Sequence, residues 1–459
     1  MQYFRPGGSQ FVGDCMPFFH DGVFHLYWLL DEGHHTALNG LGAHQWAHST
    51  STDLVHWEHH GLALPITDDT EGSMCTGSVF FHDGVFRAYY ATRLRDRTEH
   101  LSVAVCTDAH NFAKTEPRLF ASPGPDYTAS YRDPVVFQDP DTGLFHLLVT
   151  TSLRDYVPRG RGGCLGHLVS SDLASWEVAE PFILPGLQGD PECPDYFEWH
   201  GWYYLIFSNG GVARYRMSRS PLGPWTCPRV DTFDGPMASV MKTAAFTGDR
   251  RLGVAFLPSL DGDRDDGGFM YAGNAIFREV FQHDDGTLGT RWPEEMIPAS
   301  GEPMNLPFEA FPGAPSLSEA TSHLAAYRGG TLTGVPQDFR LTCHLEPSAG
   351  AQCFGFCLRG EGGYDRGYDL RFWPQEGLVE VARPLAWMGE SRMRSITGVD
   401  GMDRSFDVDV VFRGDILDVC IDQRRTLICR CPEVKGDRLF ISSLSADVTL
   451  SALTLRPLI

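Results

Sequence analysis

Residues 18–24 read Phe-Phe-His-Asp-Gly-Val-Phe, and residues 80–86 read the same seven again. Looser copies follow at 136–145 (Val-Phe-Gln-Asp-Pro-Asp-Thr-Gly-Leu-Phe) and 196–204 (Tyr-Phe-Glu-Trp-His-Gly-Trp-Tyr-Tyr). Each is an apolar run, a glycine-containing turn and a second aromatic run, which is the signal of a β-hairpin. A second pattern trails each hairpin: Ser51-Thr52-Asp53-Leu54 ending at Trp57, Thr107-Asp108 ending at Phe112, Ser171-Asp172-Leu173 ending at Trp176, and Ser218 to Trp225. A strand unit that recurs at about 60-residue spacing is a propeller blade. Four copies are plain. A fifth, degenerate copy runs from Lys242 through Val254–Leu257 to Val280. The expectation is an all-β chain with a five-bladed β-propeller over 1–300.

After Trp292 the pattern stops. Residues 301–315 are rich in Pro and Gly and read as a linker. From 316 to 459 short runs alternate apolar and polar, as in Phe339–Leu345 and Phe406–Phe412, which predicts a C-terminal antiparallel β-sandwich.

The repeat also aligns acids. Asp14 and Thr76 each stand eight residues before a turn glycine (Gly22, Gly84), Glu192 nine before Gly201, and Asp133 ten before Gly143 in a longer turn. Inner strands of a propeller surround one channel, so Asp14, Asp133 and Glu192 are expected to meet at its mouth, with Thr76 beside them. Like charges so close are costly unless they are used. A carboxylate nucleophile, a carboxylic acid at the leaving oxygen and a third carboxylate for the oxocarbenium-like transition state would employ all three in retaining glycosyl transfer.

These residues resemble a known family. Gly13-Asp14, Arg132-Asp133-Pro134 and Glu192-Cys193-Pro194-Asp195 are similar to the nucleophile, Arg-Asp-Pro and Glu-Cys motifs of the family 32 glycoside hydrolases, the invertase, inulinase and levanase group. The likeness extends to Trp46-Ala47-His48-Ser49, Thr76-Gly77-Ser78-Val79, Ala272-Gly273-Asn274 and Arg278-Glu279. It implies that Asp14 attacks the anomeric carbon, Glu192 is the acid/base and Asp133 stabilises the transition state. Arg132 would bind ring hydroxyls. Trp46 and Gln45 are candidates to line the sugar subsite, with Trp46 either an apolar wall or a packing residue of the blade, and Thr76 would bond the substrate or satisfy backbone. The family's nucleophile motif reads Trp-Met-Asn-Asp-Pro-Asn-Gly, whereas this chain has Phe11-Val12-Gly13-Asp14-Cys15-Met16-Pro17. Gly13 removes an amide, which leaves the donor open between a fructoside and a related furanoside. An inverting arabinofuranosidase-like propeller and a non-catalytic sugar-binding propeller are the alternatives.

A net charge of −22 argues against nucleic acid or an anionic membrane as partner and suits a neutral substrate; the resemblance implies a small carbohydrate, a fructoside oligosaccharide or sucrose-like sugar. No signal pattern or membrane-spanning apolar run occurs, and the twelve cysteines lack CxxC spacing, so reduced thiols and a cytoplasmic location are expected. His34, His35, His44 and His48 show no HExxH-type spacing and read as polar loop residues, and Asp261–Gly268 lacks the distal Glu of a calcium loop. No metal or cofactor is expected.

Overall fold

The computed structural model describes residues 1–116, 124–128, 130–310, 321–324, 329–384, 392–444 and 447–459. The last five residues of the expected linker, 311–315, lie outside these. Among the described residues the regular secondary structure is almost wholly β-strand, and no helix is long and apolar enough to cross a membrane.

The first unit is β1 (Gln10–His20), β2 (Val23–Glu32), β3 (Gln45–Ser51) and β4 (Glu58–Leu64). The second is β5 (Glu71–His82), β6 (Val85–Leu94), β7 (Glu99–Cys106) and the two-residue β8 (Ala113–Lys114). The third is β9 (Arg132–Gln138), β10 (Phe145–Ser152), β11 (Gly163–Ser170) and β12 (Glu177–Ile183). Each is an antiparallel meander in chain order. The fourth is β13 (Glu192–Trp199), β14 (Trp202–Asn209) and β15 (Val212–Ser218), whose outer edge carries isolated bridges to Thr226 and Thr232 and pairs with Ser239 at Val212.

The stretch that reads as a degenerate fifth copy forms a further antiparallel meander of β16 (Ser239–Phe246), β17 (Arg250–Leu260), β18 (Phe269–Gln282) and β19 (Leu288–Arg291). Its strands are long, but its first turn carries Gly248 before Asp249, so the Asp-Gly signature is reversed.

The repeated Asp-Gly pairs act as their chemistry dictates. Asp21 and Gly22 have φ of 46° and 78°, and Asp83 and Gly84 have 50° and 74°. Two positive φ values in a two-residue loop make a type I′ turn, whose twist matches the strands. His20 therefore faces Val23 and His82 faces Val85 across the ladders.

Apolar side chains join each unit to the next. Tyr27 and Trp46 pack with Met74 and Tyr90, Tyr89 and Leu101 with Val136 and Leu147, and Val135 and Leu148 with Leu205 and Phe207. Val12 and Phe24 pack with Phe246 and Phe277, which closes the circle from last unit to first. Val12 also pairs with Gly273 across β1 and β18.

From Phe308 to Pro457 the described strands form a seven-stranded and a six-stranded antiparallel sheet. One continuous core runs from Tyr204, Phe233 and Trp292 into Phe339, Phe412 and Val419. At its centre the fully buried Arg278 donates through both Nη atoms to Asp418, at 2.9 Å each, and through Nε to Asp234 at 3.0 Å. The Tyr3 hydroxyl adds a 2.9 Å bond to Asp418. All twelve cysteines are unpaired thiols.

Candidate active site

The innermost strand of each unit breaks register near its start. The ladder slips between Val12 and Cys15 in β1, between Met74 and Gly77 in β5, between Arg132 and Val135 in β9, and between Glu192 and Asp195 in β13. In β16 it slips between Ser239 and Lys242. A bulge bends the strand and re-aims a side chain, which is why bulges gather at functional sites. Asp14, Thr76 and Asp133 lie inside these bulges, and Glu192 lies at the edge of one. Asp133 and Cys193 have φ of 54° and 51°, a left-handed conformation that costs a non-glycine residue on the order of 1–3 kcal/mol and needs surrounding structure to hold it.

The groups are knitted together across units. The Thr76 hydroxyl donates to Asp14 Oδ2, and the Cys193 thiol lies 3.5 Å from the same oxygen. The Cys193 amide donates to Asp133 Oδ2 at 3.1 Å. Arg132 donates to Glu192 Oε1 at 2.8 Å, and its Nε lies 3.7 Å from Asp133 Oδ2. Asp14, Thr76, Asp133, Glu192 and Arg132 thus form one connected cluster.

Burial pushes the Asp133 carboxyl up to about 6; Arg132 opposes the rise, and the charges of Asp14 and Glu192 add to it. Burial also works against the Arg132 charge, but Asp133 and Glu192 outweigh it and hold the guanidinium protonated. The Cys193 thiol is raised well above its ordinary value by burial, then by Asp133 and Asp14, which removes it as a nucleophile.

Two candidate sugar contacts are engaged with the protein itself. The Trp46 indole has 0% exposure, donates to the Cys75 carbonyl at 2.9 Å and packs between the first two units, so it offers no open wall to a ligand. The Gln45 amide oxygen is engaged by the Ile66 N–H at 2.9 Å. Thr76 reaches the cluster, but its hydroxyl proton serves Asp14.

Other residues of the cluster were not anticipated. Asp190 lies 3.4 Å from Arg132 and accepts from Ser152. The buried Lys242 donates to the Gly77 carbonyl at 2.8 Å. Tyr271 donates to Asp14 Oδ1 at 3.1 Å and accepts from the Asp14 amide at 3.3 Å. For Asp190 the sequence offered a signal, an acid two positions before Glu192. For Tyr271 the only signal was its place directly before Ala272-Gly273-Asn274.

His48 is not a loop residue: it lies buried in β3, stacked on Tyr27. Among the described residues, two groups have donor sets that could ligate a metal, Asp31 with His35 and His44, and His48 with His60 and His110. In the first, His44 already bonds Asp31 at 2.9 Å and the Arg93 guanidinium lies 3.3 Å from His35, a charge that opposes a cation.

The family model for the glycosyl hydrolases family 32 N-terminal domain matches residues 15–286. This chain belongs to glycosyl hydrolase family 32. The match begins one residue after Asp14. Among curated relatives, the family 32 chain is 25% identical over 247 residues to a levanbiose-producing levanase of Geobacillus stearothermophilus, covering 50% of this chain and 56% of the relative. It is 26% identical over 211 residues to a raffinose invertase of Escherichia coli, covering 42% and 40%. The chain thus spans about half the length of the curated relatives it matches. Among solved structures, fructan 1-exohydrolase IIa from Cichorium intybus matches with a TM-score of 0.75 and 14% identity, over 99% of this chain and 96% of that one. Exo-inulinase from Aspergillus awamori matches at 0.73 and 16%, over 100% and 98%. The family 32 chain therefore shares the propeller-and-sandwich fold of these proteins.

Proposed function

We propose that this family 32 chain is a retaining glycoside hydrolase that cleaves terminal β-fructofuranosyl or closely related furanosyl linkages of small carbohydrates. The observation that carries this reading is the single hydrogen-bonded cluster that joins Asp14, Asp133 and Glu192 from three different strands. In the reaction, an Asp14 carboxylate oxygen attacks the anomeric carbon as the glycosidic C–O bond breaks, and Glu192 gives its proton to the leaving oxygen. Glu192 then takes a proton from water or a sugar hydroxyl, which attacks the same carbon and releases Asp14. Asp133, ionised, faces the positive charge that develops on the sugar, with Arg132 beside it. The same reading includes five blades, supported by the inner strands β1, β5, β9, β13 and β16, each packed against the next and the last against the first. It divides the chain into a propeller over 1–300, a linker over 301–315 and a sandwich over 316–459. Unpaired thiols throughout favour a cytoplasmic setting.

Incubation with sucrose, inulin- and levan-type oligosaccharides and aryl arabinofuranosides, with chromatography of the released sugars, tests it. Free fructose with retained configuration is expected. Release of arabinose alone, or inversion, would replace the reading with the arabinofuranosidase alternative. Binding without turnover would make the chain a lectin-like propeller.

The pH profile gives a second check. Below about pH 6 the buried Asp133 takes up a proton and no longer offers a charge to the transition state. The acid limb of kcat/KM is expected to have its midpoint near pH 6. A profile flat down to pH 4 would remove Asp133 from that role.

A further inference from the structure

Gly13 and Tyr271 fit each other at the cluster's edge. A Cβ built on Gly13 would stand 2.6 Å from the Tyr271 hydroxyl and 3.1 Å from ring atoms Cε1 and Cζ, and these are its three nearest neighbours. Real side chains essentially never approach that closely, so the hydroxyl occupies the volume any side chain at 13 would need. Gly13 is not among the residues with positive φ, so the tyrosine, not the backbone, demands the glycine.

The space is used. The Asp14 amide donates to the Tyr271 oxygen and that hydroxyl donates on to Asp14 Oδ1, a closed loop in which each bond polarises the next. The opposite oxygen, Oδ2, takes the Thr76 hydroxyl. Tyr271 is itself fixed: His34 Nδ1 lies 2.8 Å from its carbonyl oxygen, and its ring packs against Phe256 and His44 at 5.3 and 5.1 Å. Burial, reinforced by Asp14, raises its phenol well above the ordinary value, so the hydroxyl keeps its proton and remains a donor at every working pH.

We infer that Tyr271 is a positioning residue that clamps Asp14 in its attacking orientation, and that Gly13 exists to admit its hydroxyl. This rests on the role of Asp14 in the proposed function. The two oxygens of a nucleophilic carboxylate are equivalent only if it can rotate. With Tyr271 on one and Thr76 on the other, it cannot, and attack proceeds from a preset geometry.

The test is a double-mutant cycle on the full chain with Tyr271→Phe and Gly13→Ala. Tyr271→Phe is expected to lower kcat about 10- to 100-fold, the range for a lost hydrogen bond to a charged group, with KM within about 2-fold and an unchanged melting temperature. Gly13→Ala, which pushes the hydroxyl aside, is expected to give the same split. The pair together should be little worse than either alone. A kcat within about 2-fold of wild type in Tyr271→Phe, or two effects that simply multiply, would overturn the clamp. Labelling of Asp14 by a water-soluble carbodiimide, mapped by mass spectrometry, reads its freedom without turnover and should quicken in both variants. If wild type is silent on every furanoside, the functional reading has failed, and equal Asp14 labelling in wild type and Tyr271→Phe would separately overturn the clamp.

Discussion

Asp14→Asn is expected to reduce kcat by at least about 10⁴-fold on whichever furanoside the wild type cleaves, the scale on which removal of a covalent nucleophile is felt. The amide keeps the shape of the carboxylate, so its Thr76 and Tyr271 neighbours lose little packing and the melting temperature should hold. Two features of the site make the loss this large. Asp14 is only 7% exposed, so bulk water has little room to replace it. The other two carboxylates are also committed, Glu192 to Arg132 and Asp133 to the Cys193 amide. Single-turnover kinetics would separate the outcomes. No glycosyl-enzyme should accumulate in the variant, whereas near-wild-type turnover would move the nucleophile to another residue.

Asp418→Ala is expected to cost about 3–5 kcal/mol in a denaturant titration, because it leaves the buried Arg278 charge with Asp234 as its one remaining acid among the described residues. The arginine and both acids are essentially without solvent exposure, so water cannot take the place of the lost partner. Burial already drives the Asp418 carboxyl up to about 6 against the pull of Arg278. The cluster therefore sits close to the balance between desolvation and attraction, and removing one member tips it. A loss below about 1 kcal/mol would mean that the core opens to water. The variant's remaining folded molecules should turn over normally, since Asp418 touches none of the carboxylate cluster.

Much of this was legible in the chain. The Asp-Gly pairs at 21–22 and 83–84 announce their turns because few other pairs accept two positive φ values, and Asp14, Glu192 and Asp133 declared themselves by standing eight to ten residues before the turn glycine of their own hairpin. What escaped had physical reasons. The meander of β16 to β19 reads as a degenerate repeat because its turn lacks the Asp-Gly order, though its strands are long. Trp46 sits on a strand beside a polar neighbour, and nothing local tells a ring packed between units from one facing a sugar. The register slips that aim the acids depend on the partner strand, which a linear reading does not see. Tyr271 meets Asp14 across 257 residues, and only the folded ladder brings Gly273 beside Val12.

That last pairing has a consequence for how the molecule comes into being. The segment that carries Asp14 is made well before its partners, yet it docks on β18 and, through Tyr3, on a strand near residue 418. On the ribosome the first unit must wait for more than four hundred residues to emerge before it is fully seated. Contacts of such long sequence separation form slowly and late. The attacking group is thus assembled by the closing stitch of the ring, and a nascent or truncated chain carries the acid without its seat.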